Sequence, residues 1–247
     1  MSERQVVYDF TGQVALITGA TGGLGPAVVR ALLDAGALVV GAGTEAGGER
    51  EREMRAQIAK DANDRFTLVA ADAMDEASVA QVVSDIVTRQ GRLDILVNGI
   101  GGYHAGESVA ETPLEAWQHM LDLNLRSTFL FSKYAARHMS EQRGGRIVNV
   151  SSRAAWSGRK NAAAYATAKN AVITLTEAQA EELRAAGVTV NVILPSIIDT
   201  PANRAAMPDA DTSRWPTAEQ VARVILFLAS DDAGLISGAA IPVYGRA

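Results

Sequence analysis

The amino-acid sequence predicts an α/β fold: a doubly wound parallel sheet of about seven strands with helices on both faces. Three observations lead there. Short β-rich apolar runs alternate with longer stretches of helical period along the chain. Most of those runs are continuously apolar rather than alternating, as strands covered on both faces must be. The glycines are unevenly placed, ten of the 22 falling in the first 48 residues and four more between Gly99 and Gly106, which marks close backbone approaches in two places.

Taken in order, the first strand is expected at Val14–Thr18 and the first helix at Leu24–Ala35, where Pro26 suits a first turn whose N–H needs no partner. A strand at Leu38–Ala42 precedes a helix at Glu49–Lys60. Its run EREREMR alternates in sign, which reads as a solvated face rather than an anion site. Then come strand Phe66–Ala70, helix Glu76–Gln90, strand Leu93–Asn98, a long helix Leu114–Glu141 and strand Arg146–Val150. Helix Ala164–Ala186, strand Val188–Leu194, helix Ala218–Ser230 and strand Ile241–Val243 complete the series. The segment Thr200–Trp215, with Pro201 and Pro208, interrupts the rhythm after the sixth strand, where open α/β sheets place substrate-binding elements. No linker or repeat divides residues 1–247, so one domain is expected.

Composition limits the function. The 247 residues are 48% apolar and 21% charged, typical of a globular protein. A net charge of -5 disfavours nucleic acid and anionic membranes as partners. The absence of cysteine removes thiolate chemistry and Cys-ligated metal, and no metal is expected. With no signal-like start and no long apolar span, a cytoplasmic location is expected.

The first strand leads into TGATGGLG, residues 18–25. Glycines there allow a tight turn and bring backbone N–H groups to a pyrophosphate at a helix N-terminus. The spacing reads as G-x-x-x-G-x-G through Gly19, Gly23 and Gly25, and equally as G-x-x-G-x-x-G through Gly19, Gly22 and Gly25; Thr21 and Leu24 belong to the same turn. The end of the second strand carries Gly43, Thr44 and Glu45, not the immediate acidic residue that would grip the ribose of NAD. The choice between NAD and NADP stays open.

Tyr165 and Lys169 stand four apart on a predicted helix and share a face, where an ammonium can favour the phenolate. Ser151 and Ser152 close the fifth strand, and Asn98 closes the fourth before the Gly99–Gly102 loop, all on the carboxyl edge of the sheet. These residues, with Asp72, Asn124 and the 13-residue interval from Ser152 to Tyr165, resemble the short-chain dehydrogenase/reductase family in its compact Rossmann-type form.

The resemblance covers almost the whole chain and implies an NAD(P)(H)-dependent oxidoreductase. Tyr165 would exchange a proton with the substrate oxygen, Lys169 would hold the ribose and lower the tyrosine pKa, and Ser152 would hydrogen-bond the reacting carbonyl. Asn124 would connect Lys169 to solvent through water. Asp72 with Ala73 would contact the adenine, Asn98 and Gly99 would border the cofactor, and Pro195, Ile198 and Thr200 would meet its nicotinamide and phosphate groups. The family's usual homotetramer implies association through the two long helices. Departures are Gly99-Ile100 after Asn98, Ser196 after Pro195, and Arg246 near the end.

Tyr103, His104, Trp156 and Arg159 are candidates for binding a small-molecule substrate, with Asn203, Met207 and Trp215 from the inserted segment. Residues 194–215 and Gly101-Gly102-Tyr103 are similar to the dihydropteridine reductases of the same superfamily, which implies pterin reduction as an alternative. A dinucleotide-binding sensor without turnover is the alternative outside enzymes; the presence of Ser152, Tyr165 and Lys169 counts against it.

Overall fold

The structure is a computed structural model describing residues 7–44, 46–56, 58 and 60–246. Among them, strands β1 (Val14–Thr18), β2 (Leu38–Gly43), β3 (Phe66–Ala70), β4 (Ile95–Asn98), β5 (Gly145–Val150), β6 (Val188–Pro195) and β7 (Ala240–Val243) form one parallel sheet. Their order is β3-β2-β1-β4-β5-β6-β7. The helices are α1 (Gly25–Asp34), α2 (Glu49–Ala56), α3 (Glu76–Gln90), α4 (Leu114–Leu121), α5 (Ser127–Gln142), α6 (Ala154–Ser157), α7 (Ala163–Leu183), α8 (Pro201–Ala206) and α9 (Ala218–Ala229).

Strand periodicity divides the core in two. Ala15, Ile17, Ile95 and Val97 point to a layer built with Leu32 and Leu33 of α1 and Ile225 of α9. Their neighbours Val14, Leu16 and Leu96 point the other way, toward Val83 of α3, Phe131 of α5 and Leu183 of α7. Every residue of β1 and β6 is buried, which is why β1 reads as a nearly continuous apolar run and β6 as one broken only by Thr189 and Asn191.

From β1 the chain builds outward through β2 and β3, then crosses back to set β4 on the other side of β1. That reversal opens a crevice at the carboxyl ends of β1 and β4, the place where doubly wound sheets take ligands.

Several boundaries differ from expectation for identifiable reasons. The fourth strand begins at Ile95 rather than Leu93, because the Asp94 carboxylate accepts the Val14 N–H at 2.8 Å and is held by Arg92 through two 2.8 Å bonds. The helix expected to Lys60 stops at Ala56. Gln57, Ala59 and Glu45 lie outside the described residues, and Lys60–Arg65 form a 3-10 segment tied down by Arg65 donating to Leu33 O and Ala37 O. The long helix expected at Leu114–Glu141 is interrupted by a π turn at Asp122–Arg126, a distortion that recurs at functional sites. None of the helices described is long and apolar enough to cross a membrane.

Candidate active site

The glycine loop closes the crevice from the β1 side. Gly19 takes a φ of 68°, and a Cβ there would stand 2.9 Å from Gly99 O. A Cβ on Gly25 would meet Gly19 O at 2.3 Å and Ala20 O at 2.4 Å, so the turn folds this tightly only with hydrogen at position 25. Gly22 N donates to Gly19 O at 2.9 Å. The following helix α1 has no side-chain cap, whereas Asp75, Thr200 and Thr217 cap α3, α8 and α9. Its first N–H groups are therefore open to an anion, as a pyrophosphate requires.

Thr200 bridges this loop to the inserted segment. Its hydroxyl accepts from Asn203 N at 3.2 Å, and its methyl lies 3.1 Å from where a Cβ on Gly23 would be. The Asn203 amide donates to Ile198 O at 2.8 Å, which fixes the segment over the crevice. Ser196, a departure from the family pattern, sits without a positive φ, and its hydroxyl donates to Tyr244 O at 2.8 Å. No glycine is needed at that turn.

A cavity of about 510 Å³ lies at the crevice. Leu24, Gly99, Ser152, Tyr165 and Lys169 line it, joined by Pro195, Ile198, Tyr103, Arg159, Asn203 and Met207. The two adjacent serines part company here. Ser151 is buried and donates to Lys169 O at 2.6 Å, while Ser152 accepts the Ala154 N–H at 3.2 Å and stands beside the Tyr165 phenol.

Lys169 is buried against β5 and donates to Val150 O at 2.9 Å. Burial pulls its pKa down to about 8. Tyr165 moves the other way. Burial pushes the phenol above its ordinary value, the Ser152 hydroxyl pulls it down, Tyr103 adds to the rise and the Arg159 guanidinium opposes it. The expected lowering by Lys169 is not what this arrangement has, since that ammonium is turned to the Val150 carbonyl.

The Lys169 shift carries a sign that can be tested. In the unfolded chain the amine holds its proton to about 10.5, so between about pH 8 and that value the unfolded state binds more protons and stability rises with pH. Denaturant unfolding of wild type and Lys169→Met across pH 7–10 should show the wild type gaining relative to the variant above about pH 8, toward about 3 kcal/mol. A constant difference across that range contradicts the assignment.

Asn124 occupies the π turn. Its amide donates to Gly102 O at 3.1 Å and to Met120 O at 3.0 Å, and accepts Gly102 N–H at 3.2 Å. It therefore clamps the loop after β4. Asn124 Oδ1 and Lys169 Nζ flank Gly101, at 2.8 and 2.9 Å from the position a Cβ would take, so glycine keeps the two side chains facing a shared space.

Other expected residues fall elsewhere. The Asn98 side chain points into the layer beneath the cavity, donating to Ser132 Oγ and Asn149 Oδ1, so Gly99 rather than Asn98 lines the wall. His104 is exposed and pairs with Glu107 at 3.1 Å, and Trp156 is 52% exposed; neither lines the cavity. Trp215 lines a separate groove with Arg214 and Arg246, where Arg246 N and Arg214 O are bonded at 3.0 Å.

Gly43, Thr44, Asp72 and Ala73 gather at the ends of β2 and β3, joined by Ala71 N donating to Gly43 O at 2.8 Å. Asp72 is exposed with one carboxylate oxygen accepting Met74 N–H, whereas the Ala73 side chain is buried in the core. Sequence reasoning missed Arg153, Ser157 and Ile197 in the cavity wall. The place of Arg153 directly after Ser152 was the available signal.

Comparisons with known proteins identify the family. Residues 13–211 match the family model described as short chain dehydrogenase. The chain is 35% identical over 245 residues to cis-4-hydroxycyclohexanecarboxylate dehydrogenase of Sinomonas cyclohexanicum, covering 96% of both chains. It is 33% identical over 248 residues to the 3-oxoacyl-[acyl-carrier-protein] reductase FabG of Escherichia coli K12, covering 96% of this chain and 98% of that one. Among solved structures, ElxO with NADP bound superposes with a TM-score of 0.87 at 28% identity, covering 94% and 97% of the two chains.

Proposed function

The chain belongs to the short-chain dehydrogenase family and is an NAD(P)(H)-dependent oxidoreductase, and on that premise we propose that it interconverts a carbonyl and a secondary alcohol with Tyr165 exchanging the proton on oxygen. The observation that carries this reading is the meeting of Ser152, Tyr165 and Lys169 in one cavity at the sheet's reversal point. When bound, the nicotinamide supplies or accepts the hydride.

The residues present fit such a group. The uncapped N-terminus of α1 and the glycines that tolerate no Cβ would take the pyrophosphate, Gly43 and Asp72 lie where the adenosine would reach, and Lys169 and Tyr165 would hold the ribose. Reduction builds negative charge on the substrate oxygen. Ser152 donates a hydrogen bond to it, and the Tyr165 phenol, kept protonated by burial, delivers the proton. In the reverse direction the same phenol must first be deprotonated.

The presence of Ser152 in the wall favours a carbonyl substrate over the pterin alternative, and the intact trio favours turnover over a sensor. Residues 1–247 act as one domain in this reading, and exposed Leu114 and Phe129 on the α4–α5 side support association of copies there. The test is consumption of NADH and NADPH, each against a panel of ketones and a quinonoid dihydropterin. Ketone-dependent consumption is expected; cofactor binding without turnover of any acceptor contradicts the reading.

A further inference from the structure

The charges around the cavity are all of one sign. Arg153, Arg159 and Lys169 line it, and among the described residues no aspartate or glutamate does. Lys169 donates one N–H to Val150 O and its remaining donors serve the ribose in the reading above. Neither arginine forms an ion pair among the described residues: the Arg153 guanidinium lies over the Tyr244 ring, 5.0 Å from its centroid, and Arg159 is exposed at the rim. The nearby carboxylates are engaged elsewhere, Asp199 held twice by Arg204 at 2.5 and 2.8 Å and Glu107 paired with His104. A concave wall with cations and no anions concentrates a positive potential and selects for negative ligands.

The cofactor does not account for the two arginines. Its phosphates belong at the glycine loop, where residues 18–25 contain no basic side chain. Arg153 and Arg159 come instead from the segment following β5, which also carries Ser152, and the charge of Arg159 reaches the Tyr165 phenol. An anionic group held by Arg159 would lie close to the oxygen that Tyr165 and Ser152 address. A guanidinium offers the planar, two-pronged donor set that matches a carboxylate.

Resting on the oxidoreductase reading above, we propose that the substrate is a compact keto or hydroxy carboxylic acid, its carboxylate bound by Arg159 at the cavity rim with Arg153 adding to the field. Lys169 and Tyr103 complete the surroundings of the cavity of about 510 Å³: Tyr103 is 58% exposed and meets the Tyr165 ring edge-on at a 5.0 Å centroid distance.

The test is calorimetric titration of the protein saturated with NADPH or NADH, using three isosteric pairs: cyclohexanecarboxylate, benzoate and hexanoate against their amides. At least one acid should bind about 10-fold or more tightly than its amide, with an affinity that falls as salt is raised. Arg159→Gln should erase that preference and Arg159→Lys should restore part of it. Arg159 is exposed, so neither change disturbs the core.

Equal binding of acids and amides, no binding by any acid, or a preference that survives Arg159→Gln overturns the inference. Turnover separates it from the broader reading. If 4-oxocyclohexanecarboxylate and its methyl ester are reduced equally, the oxidoreductase reading stands and the carboxylate inference falls. If acids bind through Arg159 while no carbonyl compound consumes the reduced cofactor, the reading of the site as a reductase falls.

Discussion

Replacing Tyr165 with phenylalanine is expected, on the proposed role, to lower kcat for carbonyl reduction by about 10²–10⁴-fold, the usual worth of a positioned general acid. The substitution removes one hydroxyl and keeps the ring, so the edge-on contact with Tyr103 at 5.0 Å and the surrounding packing survive. The loss should appear in kcat and in kcat/KM together, because the proton is delivered in the transition state. Steady-state kinetics on a ketone, with melting temperature as the folding check, measures it. A variant retaining wild-type kcat would mean that the proton comes from elsewhere.

A methyl group at Gly25 acts on binding and stability together. Gly25→Ala places a carbon where Gly19 O and Ala20 O lie 2.3 and 2.4 Å away, and both are backbone atoms that move only if the turn opens. Overpacking of this kind costs on the order of 1–3 kcal/mol, with a fall in Tm of about 2–4 °C for each. Opening the turn also misdirects the N–H groups at the start of α1. Losing one charge-assisted hydrogen bond to a pyrophosphate weakens cofactor binding roughly 10- to 100-fold. Gly144→Ala is the matched control, since a Cβ there meets nothing within 4 Å. Fluorescence titration with NADPH and thermal melts of both variants check the contrast, and equal behaviour of the two would contradict it.

Much of this architecture is legible because burial and local geometry point the same way. The interior strands sit between two helical layers, so β1 and most of β6 show as nearly continuous apolar runs. The glycine loop announces itself because crowding at Gly19 and Gly25 admits no side chain. Features governed by tertiary contacts are less readable. The π turn at Asp122–Arg126 leaves the helical apolar pattern almost unchanged, and the clamp between Asn124 and Gly102 spans 22 residues.

Helix α8 is a different case. It is short and mostly exposed, and its signal is the pair Thr200-Pro201, an N-cap followed by a first-turn proline. Among site residues, Ser152, Tyr165 and Lys169 line one cavity, whereas Asn98, at the end of β4, points beneath it. His104 and Trp215 follow strand or helix ends, and Trp156 sits on the short helix α6; the direction of each side chain is set by tertiary contacts that no local pattern records.

The direction of the Tyr165 shift also lay beyond the sequence. Four-residue spacing suggests that Lys169 lowers the phenol, but burial wins, and the lysine ammonium is turned to Val150 O. A phenol raised in this way is protonated at neutral pH, as the proposed delivery of a proton to a carbonyl requires. Alcohol oxidation must remove that proton first.

The most direct measurement of this account is the pH dependence of kcat/KM for secondary-alcohol oxidation, recorded in wild type and Tyr165→Phe. The wild-type rate should climb with pH through the alkaline range as the raised phenol ionises, and the Phe variant should lose both the rate and the climb. A flat wild-type profile, or the same climb in the variant, would contradict the assignment of Tyr165 as the group that exchanges the proton.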